Sequence, residues 1–245
     1  PTTASGRWSS LQLSSGGFPV ISQYDATSGD LVMVVCSDAT CTTRTITSVD
    51  TANDVGQWTS IALDSSGFPV VSYYDVTAGK LKVMHCITVG CISTATIVTP
   101  DAASLVGQYT SLVLDSSGFP VISYWDQTNG ALKVLHCGNA DCSAGNIINT
   151  PDSTGTVGLW TSITLDSSGF PVISYFDSTN GDLKVVHCGD GNCATGNTVV
   201  TVDSTGTVGA YSSIQLDSSG FPVISYWDDT NAGLKLAHCV NANCN

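Results

Sequence analysis

The tripeptide Gly-Phe-Pro occurs five times, with Phe18, Phe68, Phe119, Phe170 and Phe221 separated by 50, 51, 51 and 51 residues. A repeat of this length is one supersecondary unit that buries its faces only by packing on its neighbours. In the third copy the unit reads Tyr109 to Leu114, a turn at Asp115 to Gly118, Pro120 to Asp126, a turn at Gln127 to Ala131, Leu132 to Cys137, a further turn, and Asn146 to Thr150. Each repeat therefore holds four short strands. Composition agrees, because all 20 acidic residues are Asp, Lys and Arg total 7, and Ser and Thr total 61. With Glu absent and Lys and Arg scarce, the strong helix formers are missing.

The punctuation is that of hairpins. Asp-Ser-Ser-Gly and Asp-x-Thr-Asn-Gly combine an Asp that bonds its own turn with a Gly free to take positive φ. Pro120 and its counterparts open the second strand, where a missing N–H is tolerated. In the second copy Thr59, Ile61 and Leu63 lie on one face and Trp58, Ser60 and Ala62 on the other, and both faces read as covered. Sheets covered on both sides and repeated at this period stack radially. We expect an all-β, five-bladed β-propeller of four-stranded antiparallel blades. It forms one domain over 1–245, with blades near 7–50, 57–101, 108–152, 159–203 and 210–245. The last repeat stops just after Cys244, so the fifth blade lacks its fourth strand.

Ten cysteines fall in the same frame, as Cys36/Cys41, Cys86/Cys91, Cys137/Cys142, Cys188/Cys193 and Cys239/Cys244. One local disulfide per blade is expected, bracketing the loop between the third and fourth strands, which implies an oxidising compartment. His85, His136, His187 and His238 precede the first Cys of four pairs and suggest zinc instead. That reading fails because neighbours on a strand point to opposite faces, and because the first copy keeps both Cys with Val35 in place of the His. The histidines are expected to be satisfied structural side chains.

A net charge of -13 gives no basic surface for a nucleic acid, and no apolar run approaches the ~20 residues that span a bilayer. The chain starts at Pro1 without a signal peptide and has no Asn-x-Ser/Thr acceptor with x other than Pro, which reads as a processed protein secreted or displayed at the cell surface.

The segment Leu114 to Tyr124 (LDSSGFPVISY) and the phrase Leu-Lys-Val-x-His-Cys resemble tandem repeats of secreted, largely uncharacterised prokaryotic propeller proteins. The resemblance covers the whole chain and implies a fold and an extracellular setting. By blade number the chain is also similar to five-bladed lectins of the tachylectin type and to five-bladed glycosidases.

The first strand starts and the second ends at the same end of each blade. This places the aromatics Trp8, Trp58, Tyr109, Trp160 and Tyr211 near the aromatic-Asp pairs that end in Asp25, Asp75, Asp126, Asp177 and Asp228. Rings beside carboxylates suit a sugar, which needs an apolar face and hydrogen-bond acceptors. The same residues also suit blade packing and turn capping. A calcium ion could use Asp25/Asp30 or Asp177/Asp182, the two loops with a second carboxylate. No other cofactor is implied.

Catalysis is not expected, since a near-identical repeat surrounds each Asp alike whereas glycoside hydrolysis needs two carboxylates in unlike environments. The expected function is a non-catalytic extracellular structural protein, a subunit of a surface layer or filament. It would self-associate through Pro1 to Ser5 and the open edge Leu234 to His238 of blade five. The alternative is a glycan-binding lectin.

Overall fold

The computed structural model describes residues 5–91 and 95–245, and within them every regular element is a strand. Blade one holds β1 (Ser5–Leu13), β2 (Pro19–Asp25), β3 (Asp30–Cys36) and β4 (Arg44–Asp50). Blade two holds β5 (Val55–Leu63), β6 (Pro69–Asp75), β7 (Lys80–His85) and β8 (Thr96–Val98). Blade three holds β9 (Val106–Leu114), β10 (Pro120–Asp126), β11 (Ala131–His136) and β12 (Ile147–Asp152). Blade four holds β13 (Val157–Leu165), β14 (Pro171–Asp177), β15 (Asp182–His187) and β16 (Thr198–Asp203). Blade five holds β17 (Val208–Leu216), β18 (Pro222–Asp228) and β19 (Gly233–His238).

The strands form five sheets of four, four, four, four and three strands, each in sequential order, as the repeat predicts for a five-bladed propeller with a short last blade. The residues pack into two compact units. One comprises the described residues up to Pro120 with Cys137–Asn146, the other Val121–His136 with Ile147–Asn245.

The hairpins form for the reasons their residues suggest. The Asp64 carboxylate accepts from the N–H groups of Ser66 and Phe68, both at 2.8 Å, and holds the Asp-Ser-Ser-Gly turn. Asp166 and Asp217 repeat the arrangement. The second strands carry the core: every residue of β6 and of β14 is buried. Tyr73 and Tyr175 are fully buried there, and their hydroxyls donate to Asp50 and Asp152 at 2.7 Å.

The ten cysteines pair within their blades as expected: Cys36 with Cys41, Cys86 with Cys91, Cys137 with Cys142, Cys188 with Cys193 and Cys239 with Cys244, at Cα–Cα distances of 4.8–5.2 Å. The second member of each pair departs from the sequence reading, which treated the two cysteines as equivalent brackets of a loop. Cys41, Cys91, Cys142, Cys193 and Cys244 all take left-handed backbone, with φ of 56°, 50°, 53°, 55° and 58°. They differ in cover as well, since Cys142 and Cys193 are buried whereas Cys41 is half-buried. The reason is a tight turn of four residues. The N–H of Cys41 donates to the Asp38 carbonyl, that of Cys142 to Asn139 and that of Cys193 to Asp190, at 3.0–3.1 Å. The carboxylates of Asp38 and Asp190 then accept further loop N–H groups, which holds both of them well ionised.

The histidines tie each loop to its surroundings. His85 bonds Asp64 through Nε2 at 3.0 Å and, through Nδ1 at 2.7 Å, Asp141 in the disulfide loop of the next repeat. His136 and His187 reach Asn192 and Asn243, one repeat on, at 2.8 Å. They are structural side chains, and the sulfur atoms are committed to disulfides. Within Pro1 to Ser5, Pro1–Ala4 lie outside the described residues, whereas Ser5 pairs with Asp25 in β1.

Candidate functional site

Each first strand departs from simple alternation. In blade two the register to β6 slips between Gln57 and Ser60, and Trp58 occupies the gap at φ 49°. The equivalent Trp8, Tyr109, Trp160 and Tyr211 take φ of 48°, 56°, 49° and 54°. The left-handed region costs a side-chain-bearing residue about 1–2 kcal/mol, and its use at one aromatic position in all five repeats marks a bulge that re-aims the ring. Nothing in the sequence signals this, because Trp-Thr-Ser is an ordinary strand tripeptide.

The bulges turn the rings into ladders. In the first unit Trp8 and Trp58 lie 5.2 Å apart, and Trp58 and Tyr109 4.8 Å. Tyr24 and Tyr74 from the second strands flank them at 5.4 and 5.6 Å. In the second unit Trp160 meets Tyr211 at 4.8 Å and Phe176 at 5.5 Å. The rings meet tilted, at interplanar angles of 43–56°. Trp8 and Tyr211 are exposed, while Trp58, Tyr109 and Trp160 are half-buried.

The Asp row lies at the same end of the blades but is buried and occupied. Asp25, Asp75, Asp126, Asp177 and Asp228 each accept from a backbone N–H two or three residues ahead, at 2.8–3.0 Å. A lysine then bridges two carboxylates. Lys82 meets Asp50 at 2.9 Å and Asp75 at 3.3 Å, and Lys235 meets Asp203 at 2.6 Å and Asp228 at 3.5 Å. Lys184 repeats the bridge with Asp152 and Asp177, and Lys133 meets Asp126 at 3.2 Å. Burial raises the Asp203 carboxyl, but the hydrogen bonds from Lys235, Thr205 and Tyr226 outweigh it and hold it at about 2. Asp50 and Asp152 are lowered in the same way against the same burial.

Opposite this row the repeat varies in charge. The cross-strand partners are Asp30 for Asp25, Lys80 for Asp75, Ala131 for Asp126, Asp182 for Asp177 and Gly233 for Asp228. Directly opposed side chains on one sheet face lie about 5 Å apart at Cβ. Asp182 thus stands against Asp177, and its β15 neighbour Leu183 pairs with Asp203. Its carboxyl is raised, first by burial and then by the negative charge of Asp177. Blade four consequently holds two kinds of carboxyl at one end: Asp203, held ionised, and Asp182, which keeps its proton to higher pH. Among the described residues no cluster of three or more His, Cys, Asp or Glu is arranged to hold a metal ion.

No family model and no curated protein matches this sequence. Solved structures do match. The chain is similar to a Dyadobacter fermentans protein of unknown function, with a TM-score of 0.66 at 12% identity over 98% of this chain and 79% of that one. It is similar to an exo-β-1,3-galactanase from Phanerochaete chrysosporium, solved with galactose, with a TM-score of 0.58 at 10% identity over 95% of this chain and 60% of that one. An α-L-arabinofuranosidase from Lactobacillus brevis matches with a TM-score of 0.56 at 8% identity, over 95% and 90% of the two chains.

At these identities the likeness is one of fold, and the fold is that of five-bladed glycoside hydrolases. It overturns the expectation of a non-catalytic structural subunit of a layer or filament. The argument against an enzyme rested on identical surroundings for every Asp, and the unlike partners opposite the row remove that ground. Five disulfides indicate a secreted or extracellular protein, and among the described residues no helix is long and apolar enough to cross a membrane.

Proposed function

We propose that the protein is a secreted, carbohydrate-active propeller that lays a neutral glycan along the aromatic ladder of its second unit, Trp160, Phe176 and Tyr211, and hydrolyses it, with Asp182 of the same unit as proton donor. The observation that carries the reading is the bulge, which keeps an aromatic ring at a strained backbone position in each of five repeats. Such strain persists where the surrounding structure and the function require it. Ring edges and part-faces offer the C–H face of a sugar an apolar contact without demanding charge, which suits a chain whose basic residues are few. The likeness to galactanase and arabinofuranosidase structures makes galactans and arabinans the first glycans to test. The sugar-binding half of the reading also accommodates the resemblance to five-bladed lectins.

Hydrolysis of a glycosidic bond needs a carboxylic acid to protonate the leaving oxygen and a carboxylate that either takes a proton from the water attacking the anomeric carbon or attacks that carbon itself before water releases it. We assign the first role to Asp182, whose carboxyl lies opposite Asp177 across the strands and is shifted upward by burial and by that neighbour. Asp203, held at about 2 by Lys235, Thr205 and Tyr226 against its burial, is the ionised carboxylate of the same blade. The test is release of reducing ends from β-1,3-galactan and arabinan by the wild type, Asp182→Asn and Trp160→Gly. Hydrolysis is expected for the wild type, retention without cleavage for Asp182→Asn, and loss of both for Trp160→Gly. Retention by the wild type without any cleavage would reject the Asp182 assignment, and absence of retention on every glycan would reject the whole reading.

A further inference from the structure

The turn that leads from Asp177 to Asp182 is tied down on both sides. Ser178 donates its N–H to the Thr156 carbonyl at 2.9 Å, and Thr179 Oγ1 accepts the Thr156 N–H at 2.7 Å, which fixes the turn to the loop before β13. The Gly181 carbonyl accepts the N–H of Val208 at 2.8 Å and fixes it to the start of β17. Asp177 opens the turn and is 2% exposed. Its Oδ1 accepts the N–H groups of Thr179 at 3.0 Å and Asn180 at 3.2 Å, and its Oδ2 accepts from Asn180 Nδ2 at 2.8 Å, with Lys184 Nζ 3.9 Å from that oxygen. Both oxygens act as acceptors, as those of an ionised carboxylate do. One residue, Asn180, thus grips both oxygens, and the carboxylate cannot turn without breaking one of its bonds.

The other repeats separate two features that blade four combines. Asn129 and Asn231 grip Asp126 and Asp228 in the same way, each through Nδ2 at 2.9 Å, but opposite those carboxylates stand Ala131 and Gly233. Blade one opposes two carboxylates, Asp25 and Asp30, but has Ser28 at the position of Asn180. Blade two has Ala78 there, and Lys80 opposite Asp75. Only blade four sets a carboxylate gripped by asparagine opposite a second carboxyl. The grip is a turn cap wherever it occurs. In blade four it has a second consequence, because a carboxylate held in place cannot swing its charge away from the carboxyl across the strands.

We propose that Asn180 is a positioning residue, which holds the Asp177 carboxylate opposite Asp182 and thereby keeps the proton on Asp182. The charged groups that act on Asp182 are Asp177 across the sheet, Lys184 two positions along β15, and Asp203 at the end of β16. Lys184 is directed to Asp152, at 2.5 Å, and lies farther from Asp177. After burial, Asp177 is the largest of the influences that raise the Asp182 carboxyl, and like charges placed this way favour the neutral form of one partner. The use of that proton rests on the reading of Asp182 as proton donor. The cause assigned to it rests on the bonds of Asn180 alone.

The test uses Asn180→Ala and Asp177→Asn, singly and together, in the full chain with disulfides oxidised. Ala78 closes the equivalent turn through its N–H, which reaches Asp75 at 2.8 Å, so Asn180→Ala is expected to fold. Carbon-13 NMR follows the Asp182 carboxyl through a pH titration, its signal assigned by its loss in Asp182→Asn. The midpoint is expected to fall in Asn180→Ala, to fall at least as far in Asp177→Asn, and to move no further in the double variant, because Asn180 acts through Asp177. The alkaline limb of kcat/KM on β-1,3-galactan should move to lower pH in step, since a proton donor is lost above its own midpoint. An unchanged midpoint in Asn180→Ala, or shifts that add in the double variant, would overturn the positioning role. If the midpoint falls as expected in a chain that hydrolyses neither galactan nor arabinan, the positioning role stands and the reading of Asp182 as proton donor falls.

Discussion

Replacing Trp58 by glycine and by alanine separates what its ring contributes from what its backbone costs. The ring contacts Trp8, Tyr74 and Tyr109 at centroid distances of 5.2, 5.6 and 4.8 Å. Aromatic pairs contribute about 0.5–1.5 kcal/mol each beyond area burial, so either variant loses roughly 1.5–4.5 kcal/mol. The two then diverge. Alanine must keep φ near 49°, at about 1–2 kcal/mol, whereas glycine occupies that region freely. Glycine loses about 0.5–1 kcal/mol of chain entropy in return. Trp58→Gly should therefore be the more stable of the pair by about 0.5–1 kcal/mol, the reverse of the usual order in a strand. Urea unfolding followed by far-UV circular dichroism, with disulfides oxidised, measures the difference as a shift in midpoint. Ser60, two positions on and outside the left-handed region, is the control, and there alanine should exceed glycine. If alanine is also the more stable at position 58, the strained-bulge account of the ladder is wrong.

Other predictions rest on the carboxylate-lysine bridges and the blade contacts. Asp50, Asp152 and Asp203 have folded pKa values below their unfolded value near 4, so the stability they contribute is complete above about pH 4 and drains away as pH falls toward 2. An acid titration by circular dichroism should place the loss in that window, with a shallower loss for Asp203→Asn. Lys184→Met should destabilise by about 3–5 kcal/mol, because it strips the cation from buried Asp152 and Asp177. Gly158→Ala forces a Cβ to 2.7 Å from Leu132 Cα at φ 95°, and the strain and overpacking together cost about 2–5 kcal/mol. Gly6→Ala, at a similar φ with nothing closer than 3.8 Å, should cost the strain alone, about 1–2 kcal/mol. Equal losses at the two sites, read from urea midpoints, would show that the close approach of glycine to leucine does not set the blade contact.

The repeat was legible because its signals are local. Asp64 caps its own turn, Pro69 starts its strand, and Cys86 finds Cys91 five residues away, so spacing alone locates them. Spacing did not reveal that Cys41, Cys142 and Cys193 are left-handed, since that follows from how their turns close. The His85 bond to Asp141 was only half legible, because its partner is 56 residues away and visible solely as a recurring offset. The bulge at Trp58 was not legible, because a left-handed aromatic reflects what the neighbouring blade demands and leaves no mark in its own tripeptide. The change from Lys80 to Ala131 to Asp182 was in plain view. Its weight depended on knowing that this position faces the Asp row, a fact of register.

The central claim is that the ladder receives a glycan, and the rings themselves can report it. Trp160 stands in the ladder of the second unit, so tryptophan emission should shift and saturate when β-1,3-galactan or arabinan oligosaccharides are titrated into the folded, oxidised chain. The response should disappear in Trp160→Gly while Phe170→Leu, at the hairpin that closes the opposite end of the same blade, retains it. Unchanged emission across both glycan series, from a chain whose circular dichroism confirms the strands, would contradict the account.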